Sequence, residues 1–319
     1  MWGLILFTGC LAQAGWAVKC KKPQVELEET CSMLLCDADL SPEAARSLTS
    51  ADRVMWITPQ RVFYAGLLGA PALHTKGALA VYVAVEGLLR VRLDGGEWET
   101  AEVVVIPPYH PFEIACQGRH VLTILIELET VDLRRLPEML HACGAIDAQQ
   151  FAENVRRVHS GLVAAGGTAH RFAQDFDILF FGAPLPARQL DPRIVKALET
   201  IRRDLSGQAA AQACAAQAHL SFSRFLHLFK EETGASFRSV RTWKRARSLL
   251  QHVNRDDSLV YVALDIGYPD STHFSHSIRR FYGLKPRDIF AGSRKLKIFD
   301  EEQASQHNAV AGSLNACLQ

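Results

Sequence analysis

The strongest constraint on how this 319-residue chain can fold is an internal repeat in its C-terminal third. Two stretches align at an offset of 49 residues, so that Phe225 matches Phe274 and Gly234 matches Gly283. A repeat of this length indicates that one small structural unit has been duplicated. The chain, with 48% hydrophobic and 22% charged residues, is long enough to form two globular domains.

Each copy of the repeat predicts two helices joined by a tight turn. A small residue, Ala218 or Gly267, occupies each turn and allows the helices to approach closely. Ser221 and Asp270 stand where the second helices begin, and their side chains are of the types that cap helix N-termini. This order predicts two helix-turn-helix units. The predicted first helices span 208–217 and 259–266.

The second helix of each copy has an apolar face and a polar face. Hydroxyl, imidazole and guanidinium groups near a helix N-terminus can reach base edges and phosphates in a major groove, and a leucine can cover a thymine methyl. A polar outer face is also what any surface helix shows. The predicted DNA-binding residues are Ser221, Ser223, Arg224, Leu226, His227 and Lys230 in the first copy, and Ser271, Thr272, Ser275, His276 and Arg279 in the second.

The segment 236–254 between the copies combines an apolar stripe with several basic side chains. It predicts one rigid connecting helix nearly 30 Å long, at about 1.5 Å per residue. That length is close to one turn of B-DNA, roughly 34 Å, so the two reading helices could occupy successive major grooves. Lys244 and Arg247 on this helix are predicted to contact phosphates.

The distribution of charge also favours a polyanionic partner for the C-terminal domain. Residues 191–297 hold 19 Lys and Arg against 10 Asp and Glu, a net charge of +9, and the rest hold 16 against 24, a net charge of −8. Neutralising phosphates requires cations locally, so the overall charge of +1 hides the relevant asymmetry. Chance clustering of surface cations is the alternative.

The N-terminal half predicts a compact β domain over 54–130. Short apolar or alternating runs are separated by turn signals, and the Asp94-Gly95 pair is a strong hairpin signal. Beyond it the periodicity becomes helical, which predicts a dimerisation or packing region over 131–181, with helices at 133–142, 148–164 and 170–181. Two prolines without periodicity place a linker at 182–190. The predicted strands are 61–68, 80–85, 88–93, 103–106 and 121–128.

The C-terminal sequence resembles the AraC/XylS family of transcriptional regulators over about a hundred residues. The resemblance implies a DNA-binding domain over 191–297 and base contacts from both second helices. The motifs that carry it are 221–234, 245–250, 262–268, 273–275 and 279–286. The residues that correspond to base contacts in the family are Ser223, Leu226, His227, Ser271, Thr272, Ser275 and His276.

The β domain has His74 before a strand, followed by the segments 85–95 and 103–108. Through these residues it is similar, over about seventy residues, to the cupin-like effector domain that many members of that family carry. The resemblance implies a β-barrel whose mouth suits a small molecule. His74 stands where a metal ligand would be expected, but Phe112 occupies the usual place of a second histidine, so we predict no metal, no cofactor and no catalytic residue. A metal-dependent cupin enzyme with an accessory helical domain is the alternative. The candidate pocket residues are His74, Tyr82, Arg90, Tyr109 and His110.

Residues 1–53 and 298–319 are less constrained by pattern. The apolar stretch 2–18 could be a secretory signal, but no basic residue precedes it, so a packed element or a misassigned start, with Met33 or Met55 as the true one, is favoured. The cysteines are scattered without metal-ligand spacing and indicate reduced thiols, with Cys214 packed in a helix. The tail 298–319 is predicted to be disordered.

Taken together, the sequence predicts an α+β protein, with an N-terminal barrel, a helical extension and a C-terminal all-α domain. We expect a cytoplasmic, effector-responsive DNA-binding regulator without enzymatic activity. The expected partners are double-stranded DNA and a small-molecule effector, with a second copy of the chain and RNA polymerase as further candidates. An exported or membrane-tethered binding protein is the third reading, resting on residues 2–18.

Overall fold

The computed structural model describes residues 52–165, 176–204, 211–254, 257–293 and 296–300. The expectations for residues 1–51, 170–175 and 301–319 lie outside these ranges. Within them, no helix is long and apolar enough to span a lipid bilayer.

A seven-stranded sheet forms the centre of the N-terminal domain, in the order β10-β1-β2-β8-β3-β6-β9. The five predicted strands form within two residues of their expected ends, because each combines an apolar run with flanking turn residues. The strands are β1 (Val54–Ile57), β2 (Arg61–Leu67), β3 (Leu79–Ala84), β4 (Leu89–Leu93), β5 (Trp98–Ala101), β6 (Val103–Ile106), β7 (Phe112–Cys116), β8 (His120–Ile126), β9 (Gly144–Ile146) and β10 (Lys297–Asp300).

A second, three-stranded sheet has the order β5-β4-β7. The predicted hairpin joins β4 to β5. Asp94 and Gly95 are both at positive φ, as the central residues of a type I′ turn must be, and the Gly96 N–H donates to the Leu93 carbonyl (2.8 Å). The predicted barrel is not closed: among the described residues, no strand of the three-stranded sheet pairs with a strand of the large sheet. The domain therefore consists of two separate sheets.

Strand β3 shows how the large sheet is covered on both faces. Leu79, Val81 and Val83 point into one apolar core, and Ala80 and Tyr82 point into the other. All six residues of β3 are buried, which explains why the strand is a continuous apolar run and does not alternate with polar residues.

One face of the sheet is covered by the helices α1 (Gln149–Ala165) and α2 (Phe176–Phe181). The prediction of a helix over 148–164 is confirmed. The helix predicted over 133–142 is wrong: two short 3-10 turns, Leu133–Arg135 and Glu138–His141, form instead. Pro137 between them cannot donate a backbone hydrogen bond and disfavours helical geometry at the residue before it.

The predicted linker 182–190 is fastened to the N-terminal domain. Val131 and Ala187 form an isolated β-bridge, the Asp132 N–H donates to the Pro186 carbonyl (2.7 Å), and Leu185 is buried. A segment with these contacts positions the first C-terminal helix relative to the sheet.

The C-terminal domain consists of short helices, two of which in each half form a helix-turn-helix pair. Cys214 packs in the core of the first half, as predicted. The helices are α3 (Pro192–Arg203), α4 (Ala211–Gln217), α5 (Phe222–Thr233), α6 (Phe237–Ser248), α7 (Leu259–Asp265), α8 (Ser271–Tyr282) and α9 (Pro286–Ser293).

The two halves of the C-terminal domain are packed differently. The first half has its own core, built around Phe225, Phe229 and Ile194. The second half shares the core between the two sheets, so that Trp243 and Phe281 belong to the same apolar cluster as the β strands. The ring of Trp243 lies so close to Gly77 that a Cβ there would overlap it.

The connecting helix is shorter than predicted. Helix α6 has 12 residues, about 18 Å, and then tightens into the 3-10 turn Leu249–Gln251. The prediction of a single helix over 236–254 is therefore wrong in length. One side of the observed helix α6 is buried against the N-terminal domain.

The chain returns to the N-terminal sheet after α9. Strand β10 pairs in parallel with β1, with Val54 opposite Lys297 and Ile57 opposite Asp300. Residues 298–300 therefore belong to the sheet, contrary to the disordered tail predicted for 298–319.

Candidate DNA-binding helices and interdomain cavity

Helix α5 is the second helix of the first unit, and both of its ends are capped. The Ser221 hydroxyl accepts from the Arg224 N–H (3.3 Å), and Gly234 ends the helix with φ of +76°. Phe225 and Phe229 are fully buried on the inner side. The helix is therefore fixed at both termini and on one face, and its outer face is left to solvent.

Most of the residues predicted to read DNA in the first unit lie on that outer face. Ser223, Arg224, His227 and Lys230 are exposed. Leu226 is half-buried against the core of the first unit, and the hydroxyl of the exposed Ser221 already serves as the helix cap. The first unit thus presents four polar side chains along one helix.

Helix α8 is built in the same way in the second unit. Asp270 accepts from the Thr272 and His273 N–H groups, both at 2.8 Å, and these bonds, together with the His273 side chain, lower the pKa of the Asp270 carboxyl. Gly283 ends the helix with φ of +70°. Phe274, Ile278 and Phe281 are buried; Ser271, Thr272, His276 and Arg279 are exposed and Ser275 is half-buried.

The turns of the two units differ by one residue. In the first, the His219 and Leu220 N–H groups return to α4; in the second, the Gly267 and Tyr268 N–H groups make the matching bonds to α7. Both are Schellman ends, with His219 at φ +54° and Gly267 at φ +85°. The first helices therefore align at an offset of 48, and the extra residue is Pro269. Gly267 corresponds to His219 and not, as predicted, to Ala218.

Lys244 and Arg247 do not lie where the sequence predicted them. The Lys244 Nζ is 2.6 Å from Glu127 and 2.5 Å from Glu129, and the Arg247 Nε is 2.8 Å from Glu127. The Trp243 indole N–H also donates to Glu127 (3.0 Å). In this arrangement both cations are held by carboxylates of the N-terminal domain and do not face phosphates.

This interdomain cluster is buried almost completely. Glu127 and Lys244 are 1% and 7% exposed, and Arg247 also donates to the Thr58 carbonyl. Burial alone would raise the pKa of Glu129, but the charge and hydrogen bond of Lys244 outweigh it and leave that pKa below its usual value. The two acidic and the two basic side chains therefore compensate one another in a largely buried site.

A cavity of about 510 Å³ lies between the large sheet and the second half of the C-terminal domain. Strands β1, β2 and β8 line it on one side, and Tyr282, Leu284 and residues of α9 line it on the other. His74 and Tyr82, two of the predicted pocket residues, lie in its wall. The volume is typical of a small-molecule site.

The most unusual side chain of the cavity is Lys76, which the sequence analysis missed. It is 6% exposed, its Nζ donates to the Phe281 carbonyl, and it lies 4.5 Å from the centre of the Tyr282 ring. Burial lowers the pKa of Lys76 to about 7. Burial and the neighbouring Lys76 lower the pKa of His74 to about 3. The walls of the cavity are therefore mostly apolar, and its Lys76 amine loses its proton more readily than an ordinary lysine does.

The other three predicted pocket residues are not part of this cavity. Arg90 is exposed and stacks at 5.0 Å on the ring of Trp98, and the ring nitrogen of His110 lies 3.0 Å from Asp94. Tyr109 has φ of +60° and packs between the core of the sheets and that of the first unit, where burial raises its pKa. Arg90 thus contacts a neighbouring strand, His110 contacts a turn, and Tyr109 lies between the two cores.

Comparison with known proteins finds relatives of the helix-turn-helix region described above. A helix-turn-helix domain model matches residues 214–292. RhaS, a transcriptional activator of Klebsiella pneumoniae, is 33% identical over 106 residues, 32% of this chain and 37% of its own length. The invasion protein InvF of Salmonella typhimurium is 31% identical over 71 residues, 22% of this chain and 33% of its own length.

The likeness to a solved structure extends over both domains. Apo ToxT of Vibrio cholerae matches with a TM-score of 0.50 and 12% identity, covering 74% of this chain and 98% of that one. This similarity concerns the fold alone, and the chain spans about a third of the length of the curated relatives it matches. The match to the helix-turn-helix domain model and the similarity to RhaS agree with the resemblance of the C-terminal region to the AraC/XylS family of transcriptional regulators.

Proposed function

We propose that the protein is a sequence-specific DNA-binding transcriptional regulator that acts in the cytoplasm. The observation that carries the proposal is the pair of capped helices, α5 and α8. Each helix buries one face in the core of the protein and exposes a polar face to solvent. A helix presented in this way fits a major groove, which admits one α-helix. Because α6 is only about 18 Å long, its length does not support the predicted spacing of one turn of B-DNA between α5 and α8.

We assign base contacts to the outermost residues of the two helices. In α5 these are Ser223 and His227, with half-buried Leu226 at the edge; in α8 they are Thr272 and His276. Arg224, Lys230 and Arg279 can reach either phosphates or guanine. Ser271 and Ser275 complete the polar face of α8.

Selection of tight-binding duplexes from a random pool with the full chain tests this assignment. We expect two conserved elements, one for each of α5 and α8, with affinity that falls steeply as salt rises. His276→Ala should relax discrimination at one base pair of one element, by about 1–3 kcal/mol. Arg157→Ala, an exposed change on α1, is the matched control. Equal affinity for selected and scrambled duplexes would overturn the proposal.

We further propose that a small-molecule effector binds in the interdomain cavity and alters how α8 is presented. Apolar walls around the buried Lys76 favour a ligand with a hydrocarbon body and one anionic group. Because the cavity is lined by both domains, a ligand that fills it stabilises one relative position of the two. An anion beside Lys76 would return its pKa towards the usual value of a lysine.

Proton uptake distinguishes this binding mode from simple burial of an apolar molecule. Near pH 8 the Lys76 amine is largely neutral, so a straight-chain carboxylate should bind with uptake of close to one proton. Calorimetry in buffers of different ionisation enthalpy measures that uptake. The matching alcohols and the Lys76→Met protein should show none. Carboxylate binding without proton uptake would contradict the assignment.

The remaining partners of the proposal are a second copy of the chain and RNA polymerase. The apolar face of α1, including Val155 and Leu162, packs on its own sheet, so that face is occupied within one chain. Light scattering of the protein with and without DNA measures its oligomeric state. We do not propose a metal-dependent enzyme: among the described residues, no group of three His, Cys, Asp or Glu side chains could hold a metal ion.

A further inference from the structure

A basic cleft of about 1090 Å³ runs beside α5, between that helix and the N-terminal domain. Arg134, Arg135 and Arg188 line it on the N-terminal side, and Arg224 and Lys230 line it on the helix side. The acidic residues in its wall are Asp132 and Glu231. Five basic side chains therefore line the cleft against two acidic ones, although the N-terminal part of the chain is acidic as a whole.

The backbone that carries Arg134 and Arg135 is held in place. Asp132 caps their 3-10 turn by accepting from the Arg134 N–H (3.1 Å), and Leu133 anchors the turn in the core. The Asp132 N–H is in turn tied to the segment that leads to α3. These contacts fix the position of the turn relative to the first helix-turn-helix unit.

The two guanidinium groups are exposed on this fixed turn. Within the part of the chain that the structure describes, neither Arg134 nor Arg135 forms a salt bridge. Arg188 differs, because it is half-buried and donates to the Glu231 carbonyl of α5 (3.4 Å). Arg188 thus braces the helix, and Arg134 and Arg135 are available to an external anion.

The length of the cleft indicates what kind of anion it could bind. It extends along α5 from Arg224 to Gly234, about 15 Å of helix, which is more than one small anion would fill. A helix seated in a major groove about 12 Å wide has a phosphate backbone on either side. A surface that lies alongside such a helix therefore meets one of those backbones.

We infer that the N-terminal domain is itself part of the DNA interface: Arg134 and Arg135 bind backbone phosphates beside the site that α5 reads. The inference rests on the proposed function and extends it to residues outside the helix-turn-helix units. Phosphate contacts position a protein on the duplex without reading its sequence. Arg134 and Arg135 should therefore strengthen binding to every duplex by the same factor.

The test measures the salt dependence of binding for the full chain and for the Arg134→Ala/Arg135→Ala double variant. The probes are a labelled random-sequence duplex and a duplex selected for tight binding. Loss of two phosphate contacts should lower the slope of log K against log salt by about 1.8. The affinity advantage of the wild type should then shrink about twelve-fold between 50 and 200 mM salt.

Two further variants separate this role from a general effect of charge. Arg90→Ala/Arg157→Ala removes the same charge from exposed sites away from the cleft and should leave the slope unchanged. Arg134→Lys/Arg135→Lys keeps both charges and should retain most of the slope. Matching circular dichroism melts establish that all variants are folded.

The outcomes distinguish the inference from the function on which it rests. If the wild type binds duplexes and the double variant behaves like the Arg90/Arg157 control, the inference is overturned and the proposed function stands. A loss confined to one sequence also overturns it, because phosphates carry no sequence. If the wild type shows no salt-dependent duplex binding, the proposed function fails and the inference fails with it.

Discussion

Removing the charge of Glu127 should loosen the contact between the two domains. Glu127 is 1% exposed, lies 2.6 Å from Lys244 and 2.8 Å from Arg247, and accepts from the Trp243 indole. Glu127→Gln keeps the shape and one acceptor, but it leaves two buried cations facing the single charge of Glu129. Breaking a buried ion pair on one side costs about 3–5 kcal/mol. That is a large part of the stability of a domain, roughly 5–15 kcal/mol.

Urea unfolding followed by tryptophan fluorescence measures this loss. The matched control is Glu102→Gln, which removes a carboxylate 3.6 Å from Arg156 at a site 37% exposed. A surface pair of this kind contributes less than about 1 kcal/mol. Adding Lys244→Met to Glu127→Gln should recover part of the loss, because the uncompensated cation is then gone.

Two results would contradict this account of the contact between the domains. If Glu127→Gln and Glu102→Gln shift the unfolding midpoint by the same small amount, the cluster does not hold the domains together. If Lys244→Met adds to the loss caused by Glu127→Gln, the two charges are not coupled in the way the distances indicate. Either result would refute the electrostatic account of the interface.

Three further predictions concern the core, the cavity and the turn. Phe274→Ala should lower the free energy of unfolding by about 3–5 kcal/mol and affect both domains, because Phe274 belongs to the shared core. Phe225→Ala should affect mainly the first unit. Hydrogen exchange resolved by domain measures the difference, and equally local effects of the two variants would contradict it. The pKa of Lys76 is about 7 in the folded protein, below its unfolded value, so the free energy of unfolding should rise between about pH 7 and pH 10. Lys76→Met should flatten that rise, and thermal melts in which the variant keeps the pH profile of the wild type would contradict the prediction. Gly267→Ala should destabilise the second unit by about 1 kcal/mol because its φ is +85°, and a melting temperature equal to that of the wild type would contradict this.

Features set by neighbouring residues were predictable from the sequence. The caps at Ser221 and Asp270 and the glycines that end α5 and α8 depend on bonds within a few residues. The predicted bounds of these helices follow from those local preferences. The one-residue difference between the turns was missed because Phe225 and Phe274 dominate the alignment of the repeat.

Features set by distant partners were not predictable in the same way. The basic residues Lys244 and Arg247 look like phosphate ligands until Glu127, more than a hundred positions earlier, is placed beside them. A signal was present: Glu127 and Glu129 follow the buried strand β8, where an unpaired carboxylate would be costly. The sequence indicated that cations were needed there, but not which ones.

The pairing of β10 with β1 has a consequence for how the protein folds during synthesis. Ribosomes deliver the N-terminal strands first, but the outer edge of β1 is completed by residues 297–300, which are made after the helix-turn-helix units. Until then β1 presents free backbone groups of the kind that recruit other chains. The nascent protein therefore passes through a stage in which β1 is the edge of its sheet, and synthesis of residues 297–300 then covers that edge with β10.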